Sequence, residues 1–227
     1  MFGGNDMKRC TFEIVLGAIL ALFLIIFCIW QAPATARGKL TTAEIDRYLA
    51  AADRQLVFDG KEQVLARIRA WAQADDGRPV YMLNLMRSYP EIHRLPGAPD
   101  FKGTPEEANR YYEQKAVPLL LKTGSYPLMM GKPQGKSVLG PTTGIDNVDR
   151  VLVVRYTSRR AFLALLADPA YGPIEPYKIM AFDTTLLPVS GDLVIPDTRM
   201  MAGFSLFALF LAVGWFRSVR QQRSGSR

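Results

Sequence analysis

Residues 149–171 of the chain read DRVLVVRYTSRRAFLALLADPAY and place a strand, a helix cap and a helix in immediate succession. The β-branched run from Arg150 to Thr157 predicts a strand. Ser158 is a typical N-cap, and the apolar spacing after it predicts a helix from Arg159 to Ala167. Asp168-Pro169 ends this helix, because proline cannot continue one. The stretch therefore predicts one strand–helix unit.

Further strands and helices flank this unit. The predicted strands are Val80 to Arg87, Tyr126 to Gly131 and Thr184 to Val189, and the predicted helices are Thr104-Pro105 to about Lys122 and Pro173 to Met180. Two leading helices are predicted, one capped by Thr42 and running to about Arg54, the other from Lys61 to Ala74. The order β-α-β-β-α-β predicts an α+β ferredoxin-like sandwich, in which one antiparallel sheet carries its helices on one face.

The first and third strands are apolar on both faces, as VYMLNLMR and RVLVVRYT show. A sheet with one solvated face alternates between apolar and polar residues, so this pattern indicates that both faces are covered. Helices cover one face of a ferredoxin-like sheet. We therefore predict that a second copy of the chain covers the other face in a homodimer.

Residues 79–189 resemble the DUF1330 group of dimeric α/β-barrel proteins. The matching stretches are PVYMLNLMR at 79–87, EEANRYYEQKAVPLLLKTG at 106–124, DRVLVVRYTSRRAFLALLADPAY at 149–171 and AFDTTLLPV at 181–189. The resemblance implies a ferredoxin-like fold that dimerises sheet to sheet. It implies little about activity, because the group is named for its unknown function and a fold does not determine a function.

Two apolar runs bracket the chain, FEIVLGAILALFLIIFCIW at 12–30 and MMAGFSLFALFLAVGWF at 200–216. About 20 apolar residues are enough to cross a bilayer as a helix, and Lys and Arg collect on the cytoplasmic side. Basic residues precede the first run and follow the second. We therefore predict a two-pass protein of the inner (cytoplasmic) membrane that contacts membrane lipid, with both termini cytoplasmic and the main domain periplasmic. A cleaved signal ending at Ala34-Thr35-Ala36 is the alternative for the first run.

These features predict seven segments. They are a cytoplasmic N-terminus (1–11), a transmembrane helix (12–30), a linker with the N-terminal helices (31–78), the DUF1330-like ferredoxin-like domain (79–190), a second linker (191–199), a second transmembrane helix (200–216) and a basic cytoplasmic tail (217–227).

The net charge of +7 arises from 28 Lys and Arg against 21 Asp and Glu. Four of the arginines lie in the last eleven residues, and no basic stripe interleaved with aromatic residues marks the middle of the chain. We therefore predict no nucleic-acid partner. The two cysteines, Cys10 and Cys28, lie in or beside the first apolar run, so we predict no cysteine metal site in the main domain. Because His93 has no second histidine and no cysteine nearby, we predict no other metal site, and we predict no cofactor.

Strand alternation groups the candidate pocket residues. Met82, Asn84 and Met86 share one face of the first strand, and Arg155 lies on one face of the third. We predict that the leucine-rich faces meet the helices, so that Asn84 and Arg155 point into the barrel between subunits. They would then anchor a small ligand in a mostly apolar pocket. The alternatives are that Asn84 and Arg155 bond each other or Asp183, and that these residues are catalytic.

His93, in the loop after the first strand, is the only histidine of the chain. A loop histidine is usually solvated, but its ordinary pKa would also suit a proton carrier at the mouth of the pocket. Some dimeric α/β barrels degrade haem with an Asn on the first strand and a His on a helix. Asn84 matches the first requirement, but no helix of this chain carries a histidine.

Three functions are compatible with the sequence. The first is a membrane-anchored domain that binds a small ligand in a dimeric barrel, with Asn84, Arg155, Met82, Met86 and His93 as pocket candidates. The second is a structural or accessory subunit of a membrane protein complex. The third is a cofactor-free oxygenase or isomerase, for which the catalytic residues are unknown.

Overall fold

The computed structural model describes the backbone of residues 4–31, 38–139, 144–192 and 198–224, and the side chains of 15–31, 38–139, 146–192 and 201–216. It contains two compact units, Met1–Ser190 and Gly191–Arg227. The alternative cleavage site at Ala34 to Ala36 lies outside the described residues, as do the ends of the chain and parts of both predicted linkers.

Four antiparallel strands form the sheet of the first unit. They are β1 (Val80–Ser88), β2 (Tyr126–Gly131), β3 (Arg150–Tyr156) and β4 (Phe182–Ser190). Their spatial order is β2-β3-β1-β4, which places β1 and β3 at the centre. This order confirms the predicted ferredoxin-like α+β arrangement of one antiparallel sheet.

Seven α-helices accompany the sheet in the described residues. They are α1 (Gly4–Gln31), α2 (Thr42–Gln55), α3 (Lys61–Gln73), α4 (Pro105–Lys122), α5 (Arg159–Ala167), α6 (Glu175–Ala181) and α7 (Thr198–Ser224). A short 3-10 helix covers Gly144–Asn147. Helix α7 belongs to the second unit and the other six belong to the first.

Side-chain caps fix three of the helix starts. Thr104 and Glu107 form a capping box at the start of α4, and Ser158 accepts a hydrogen bond from the Ala161 amide at the start of α5, both as the sequence predicts. The start of α2 differs by one residue, because Thr41 rather than Thr42 is the N-cap and forms a capping box with Glu44.

One face of the sheet packs against the helices. Val80, Met82, Asn84 and Met86 of β1 are buried, whereas the residues between them are only half-buried. The main core joins this face to apolar side chains of α2, α4 and α5, among them Leu163, which is fully buried. The chain therefore covers one face of its sheet with helices, and the residues of the other face stay partly exposed.

The C-terminal end of α1 is attached to the edge of the sheet near β2. The indole nitrogen of Trp30 donates to the carbonyl of Leu121 at 2.8 Å, and the Gln31 amide donates to the carbonyl of Gly124 at 3.1 Å. Gly124 has a φ of +72°, and a Cβ there would lie 2.5 Å from the carbonyl oxygen of Trp30. Glycine is required at this turn for both reasons.

Among the residues that the structure describes, no helix is long and apolar enough to cross a membrane. A crossing helix needs about 20 consecutive apolar residues, and neither α1 nor α7 offers such a stretch there. The two predicted transmembrane helices are therefore not supported. The predicted two-pass inner-membrane localisation, with cytoplasmic termini and a periplasmic domain, is wrong on this finding.

Candidate functional site

A buried lysine on the shortest α-helix of the described chain, α6, is the centre of the candidate site. Lys178 is only 8% exposed, and its Nζ atom donates a hydrogen bond to Oδ1 of Asn84 at 2.8 Å. The same atom lies 5.7 Å from the centre of the Tyr112 ring. An ammonium group has three donors, and in the described part of the chain one of them meets an acceptor oxygen.

Asn84 is held in one orientation by the central strands. Its Nδ2 atom donates to the carbonyl oxygens of Met82 at 3.0 Å and Leu152 at 3.1 Å, and the residue is 2% exposed. Both amide donors are thereby used, so the oxygen is directed at Lys178. The sheet thus supplies a fixed acceptor for the buried amine.

Glu175 lies three residues before Lys178 on α6, a spacing that makes two side chains neighbours on a helix. It is 4% exposed, and among the described residues its Oε2 atom has no hydrogen-bond partner. Burial raises the pKa of Glu175 to about 7, although the Val57 amide and the charge of Lys178 act in the opposite direction.

Burial also lowers the pKa of Lys178 to about 8, against the charges of Glu175 and Glu113, which raise it. Both members of the Glu175–Lys178 pair are therefore shifted toward their neutral forms, because removal from water penalises the charged forms. Near neutral pH each of the two groups is therefore present in both its protonated and its unprotonated form.

Two tyrosines complete the polar part of the site. The hydroxyls of Tyr112 and Tyr171 lie 3.2 Å apart and share a hydrogen bond. Burial raises the pKa of Tyr112 to about 12 and raises that of Tyr171 well above its ordinary value. Both phenols therefore stay protonated at neutral pH and act as hydrogen-bonding groups rather than as bases.

Lys178 lies between two cavities. The larger, of about 340 Å³, is lined by residues that include Phe58, Ile68, Phe162, Glu175, Lys178 and Leu186. The smaller, of about 130 Å³, is lined by residues that include Met82, Asn84, Tyr112, Tyr156, Lys178 and Leu186. Both walls are mostly apolar with a smaller number of polar groups, among them Glu175 and Lys178 of α6, and this composition is typical of small-molecule sites.

The structure brings some of the predicted pocket residues to this site. Met82 and Asn84 line the smaller cavity. His93 lines the larger one, where its ring stacks on Tyr89 with 4.8 Å between ring centres. Met86 is buried in a separate small cluster of apolar residues with Ala108, Ala181 and Phe182.

Arg155 lies on the opposite face of the sheet from Asn84. In the antiparallel register Asn84 pairs with Leu152, whereas Arg155 pairs with Tyr81. The Nη1 atom of Arg155 donates to Oε1 of Gln31 at 2.7 Å, and its guanidinium lies 5.6 Å from the centre of the Tyr126 ring. The expectation that Asn84 and Arg155 share a face is therefore wrong.

The prediction that Asn84 and Arg155 share a face fails because both faces of the central strands are apolar. Hydropathy alone therefore does not indicate which face packs against the helices. The helices cover the face that carries Asn84, because α6 brings Lys178 to its oxygen. The functional residues Glu175 and Lys178 were not among the pocket residues predicted from the sequence. Their signal is the i, i+3 acid–base spacing within the otherwise apolar helix EPYKIMA.

Comparison with known proteins gives a fold but no activity. No family model matches the chain, and no curated protein matches it. The crystal structure of RPA0582 from Rhodopseudomonas palustris, a protein of unknown function, is similar at 26% identity and a TM-score of 0.50, over 62% of this chain and 99% of that one. Methylated RPA0582 matches at 25% identity and the same TM-score, over 63% and 98% of the two chains.

The cofactor-independent oxygenase SnoaB from Streptomyces nogalater is more distant. It has 12% identity and a TM-score of 0.34, over 53% of this chain and 99% of SnoaB. A similarity at that level gives no basis for assigning its reaction here. The chain is thus similar, over about three-fifths of its length, to a solved protein whose function is unknown.

Proposed function

We propose that the domain binds a small, mainly apolar molecule with one polar end in the 340 Å³ cavity beside Glu175 and Lys178. The observation that carries this proposal is that a buried acid and a buried amine line a cavity whose other walls are mostly apolar. The volume lies at the lower end of the range of about 300–1,000 Å³ that small-molecule sites occupy.

Energetics favour a binding role for the Glu175–Lys178 pair over a purely structural one. Burial of a charged pair costs about as much as its mutual attraction returns, so apolar residues at these positions would stabilise the fold as well or better. Moreover, the Oε2 atom of Glu175 has no partner within the described chain. A bound ligand would supply the hydrogen-bond partner that this oxygen lacks.

The donors and acceptors of the site define the polar end of the ligand. Lys178 offers N–H donors beyond the one that Asn84 accepts, so the ligand presents an acceptor such as a carbonyl oxygen. The free oxygen of Glu175 accepts a hydroxyl or amine proton when ionised and donates one when protonated. The body of the ligand lies against Phe58, Ile68 and Phe162.

The resemblance of residues 79–189 to the DUF1330 group stays a prediction, and with it we propose a homodimer. The sheet face away from the helices carries partly exposed apolar residues such as Met129, Leu187 and Val189. A second copy that pairs sheet to sheet would cover them. In this arrangement the ligand site lies on the helix side of each sheet, so each subunit keeps a site of its own.

Filling the cavity tests the proposed ligand site. Leu186 and Leu187 are neighbours on β4 with similar exposure, 45% and 51%, but only Leu186 lines the cavity. Saturation-transfer NMR on the full chain with a panel of small aromatic ketones, acids and alcohols should detect binding. Leu186→Trp should abolish it, and Leu187→Trp, on the other face, should leave it within twofold. Equal binding by wild type and Leu186→Trp, or no binding by wild type, would contradict the proposal.

A further inference from the structure

The amine of Lys178 has an arrangement that ligand binding alone does not require. We infer that Lys178 forms a covalent imine with aldehydes or ketones that enter the cavity. The inference rests on the proposed function, because the carbonyl compound must first occupy the same site. It extends that function by naming the class of ligand and the atom that bonds to it.

Geometry holds the amine at the cavity rather than against a counter-ion. The Nζ atom contacts the neutral oxygen of Asn84 at 2.8 Å and the face of the Tyr112 ring. Neither contact carries a full negative charge that would fix the proton on the nitrogen. Lys178 also lines both cavities, so a carbonyl compound placed in either one lies beside this side chain.

The groups that face Lys178 keep part of the amine unprotonated. Helix α4 presents Glu113 and Tyr112, α6 presents Glu175, and the preceding turn presents Tyr171. The carboxylates favour the ammonium form, but burial outweighs them and the net pKa is about 8. Exposed lysines, with an ordinary pKa of about 10.4, are almost fully protonated at pH 7.5 and are poor nucleophiles.

Three further titratable groups line the larger cavity. Asp59, His93 and Asp183 are among the lining residues of the larger cavity. His93 has its Nε2 atom 3.9 Å from the carboxylate of Asp59, and Asp183 lies 3.8 Å from the guanidinium of Arg87. Asp59 therefore has His93 as its neighbour, and Asp183 has the Arg87 guanidinium.

The reaction balances with groups that the site holds. The nitrogen lone pair of Lys178 forms a bond to the carbonyl carbon, and one proton moves from the nitrogen to the oxygen to give a carbinolamine. The carboxyl group of Glu175 then donates its proton to the hydroxyl, the carbon–oxygen bond breaks, and water leaves. The products are a protonated imine and the carboxylate of Glu175, and no atom is oxidised or reduced.

Glu175 suits the role of the acid because its pKa of about 7 leaves part of the group protonated at neutral pH. Its position one helical turn before Lys178 places the new carboxylate beside the new cation. The cavity wall, which is mostly apolar, selects a carbonyl compound with an aromatic or aliphatic body.

Reductive trapping tests the inference. The full chain is incubated with benzaldehyde, which cannot enolise, and sodium cyanoborohydride at pH 7.5, and the benzylated lysines are identified by peptide mass spectrometry. Lys178 should react at least about tenfold faster than Lys61 in the same digest, because part of the Lys178 amine is unprotonated at this pH, whereas the Lys61 side chain is 33% exposed and pairs with Asp53. The rate at Lys178 should pass through a maximum between about pH 7 and 8, because the reaction needs both the free amine of Lys178 and the protonated carboxyl group of Glu175.

Two controls separate this inference from the proposed function. Benzyl alcohol has the same ring but cannot form an imine, and its binding is measured by saturation-transfer NMR. If benzyl alcohol binds and Lys178 reacts no faster than Lys61, the inference is overturned and the binding site stands. If benzyl alcohol does not bind and Lys178 is not labelled, both fail.

Variants complete the design. Lys178→Met should lose the fast label and keep that of Lys61, and Glu175→Gln should slow the reaction at Lys178 at least about fivefold without changing Lys61. Where a variant does not fold, as judged by circular dichroism, the comparison of Lys178 with Lys61 in the wild-type digest still decides the matter. Fast labelling that persists in Lys178→Met would overturn the inference.

Discussion

The side chains of Asn84 and Lys178 are both buried, and each satisfies a hydrogen-bonding group of the other. A buried amide needs partners for two donors and one acceptor, and a buried ammonium needs an acceptor. The carbonyls of Met82 and Leu152 take the two amide protons, and the remaining oxygen takes a proton of Lys178. The sequence indicates the importance of Asn84, since it is the one polar residue between two methionines. It does not indicate the partner, which lies 94 residues away.

Replacement of Asn84 tests this dependence at the level of one residue. Asn84→Leu fits the volume but removes the acceptor, so Lys178 is left buried with no oxygen to bond. A hydrogen bond to a charged group contributes about 1.5–3 kcal/mol, and we expect a loss of that order in the free energy of unfolding. Urea unfolding measures it. The double variant Asn84→Leu/Lys178→Met should regain most of the loss, and failure to regain any would contradict the pairing.

Helix α6 makes the fold sensitive to pH. The pKa of Glu175 rises from 4.5 to about 7 on folding, so the native state holds more protons than the unfolded chain between these values. The contribution of Glu175 is therefore present below pH 4.5 and is lost as the pH rises through 7. The pKa of Lys178 falls from 10.5 to about 8, so the unfolded chain holds more protons between these values, and stability increases from pH 8 to 10.5.

The pair should therefore produce a minimum of stability between pH 7 and 8. We expect Glu175→Gln to remove the decline between pH 4.5 and 7, and Lys178→Met to remove the rise between pH 8 and 10.5, when each variant is compared with wild type by urea unfolding across this range. Identical pH profiles for wild type and both variants would show that the two groups do not titrate with shifted pKa values.

Helix starts are the elements that the sequence predicts best, because a cap is a local interaction. Thr104 and Ser158 cap the helices that the sequence assigns to them. The predicted start of α2 differs from the observed one by one residue, because both threonines at 41–42 are candidates for the N-cap. Only the capping box with Glu44, three residues after Thr41, distinguishes them.

This displacement gives a matched pair of variants. Thr41→Ala removes the oxygen that accepts from the Glu44 amide and should lower the free energy of unfolding by about 1 kcal/mol. Thr42→Ala removes the same atoms one residue later and should change it by less than about 0.5 kcal/mol, since surface substitutions away from such features have small effects. Thermal or urea unfolding measures both. A larger loss for Thr42→Ala would place the cap where the sequence first indicated.

For the whole molecule, the order of strands and helices along the chain predicts the topology, and the observed strand order β2-β3-β1-β4 confirms this prediction. The choice of covered face could not be predicted, because Met82 and Leu83 are equally good core residues on opposite faces. Glu175 and Lys178 were missed for a related reason. A helix of seven residues is too short to show a hydrophobic period, and charged residues in short segments usually face water.

The proposed homodimer has a test at this scale. Leu187, on the sheet face away from the helices, would be buried between subunits, so Leu187→Glu should convert a dimer into a monomer in light scattering after size exclusion. Gln63→Glu adds the same charge at an exposed position of α3 and should leave the mass unchanged. A wild-type chain that is monomeric at tens of micromolar would contradict the dimer.

The position of Lys178 in the wall shared by the two cavities makes their contents interdependent. A molecule in either cavity that accepts a proton from this amine, or bonds to it, changes the charge that a molecule in the other cavity meets. By thermodynamic reciprocity the second occupant then alters the affinity of the first by the same factor. Ligands in the two cavities would thus compete for the amine of Lys178, and this coupling requires no movement of the backbone.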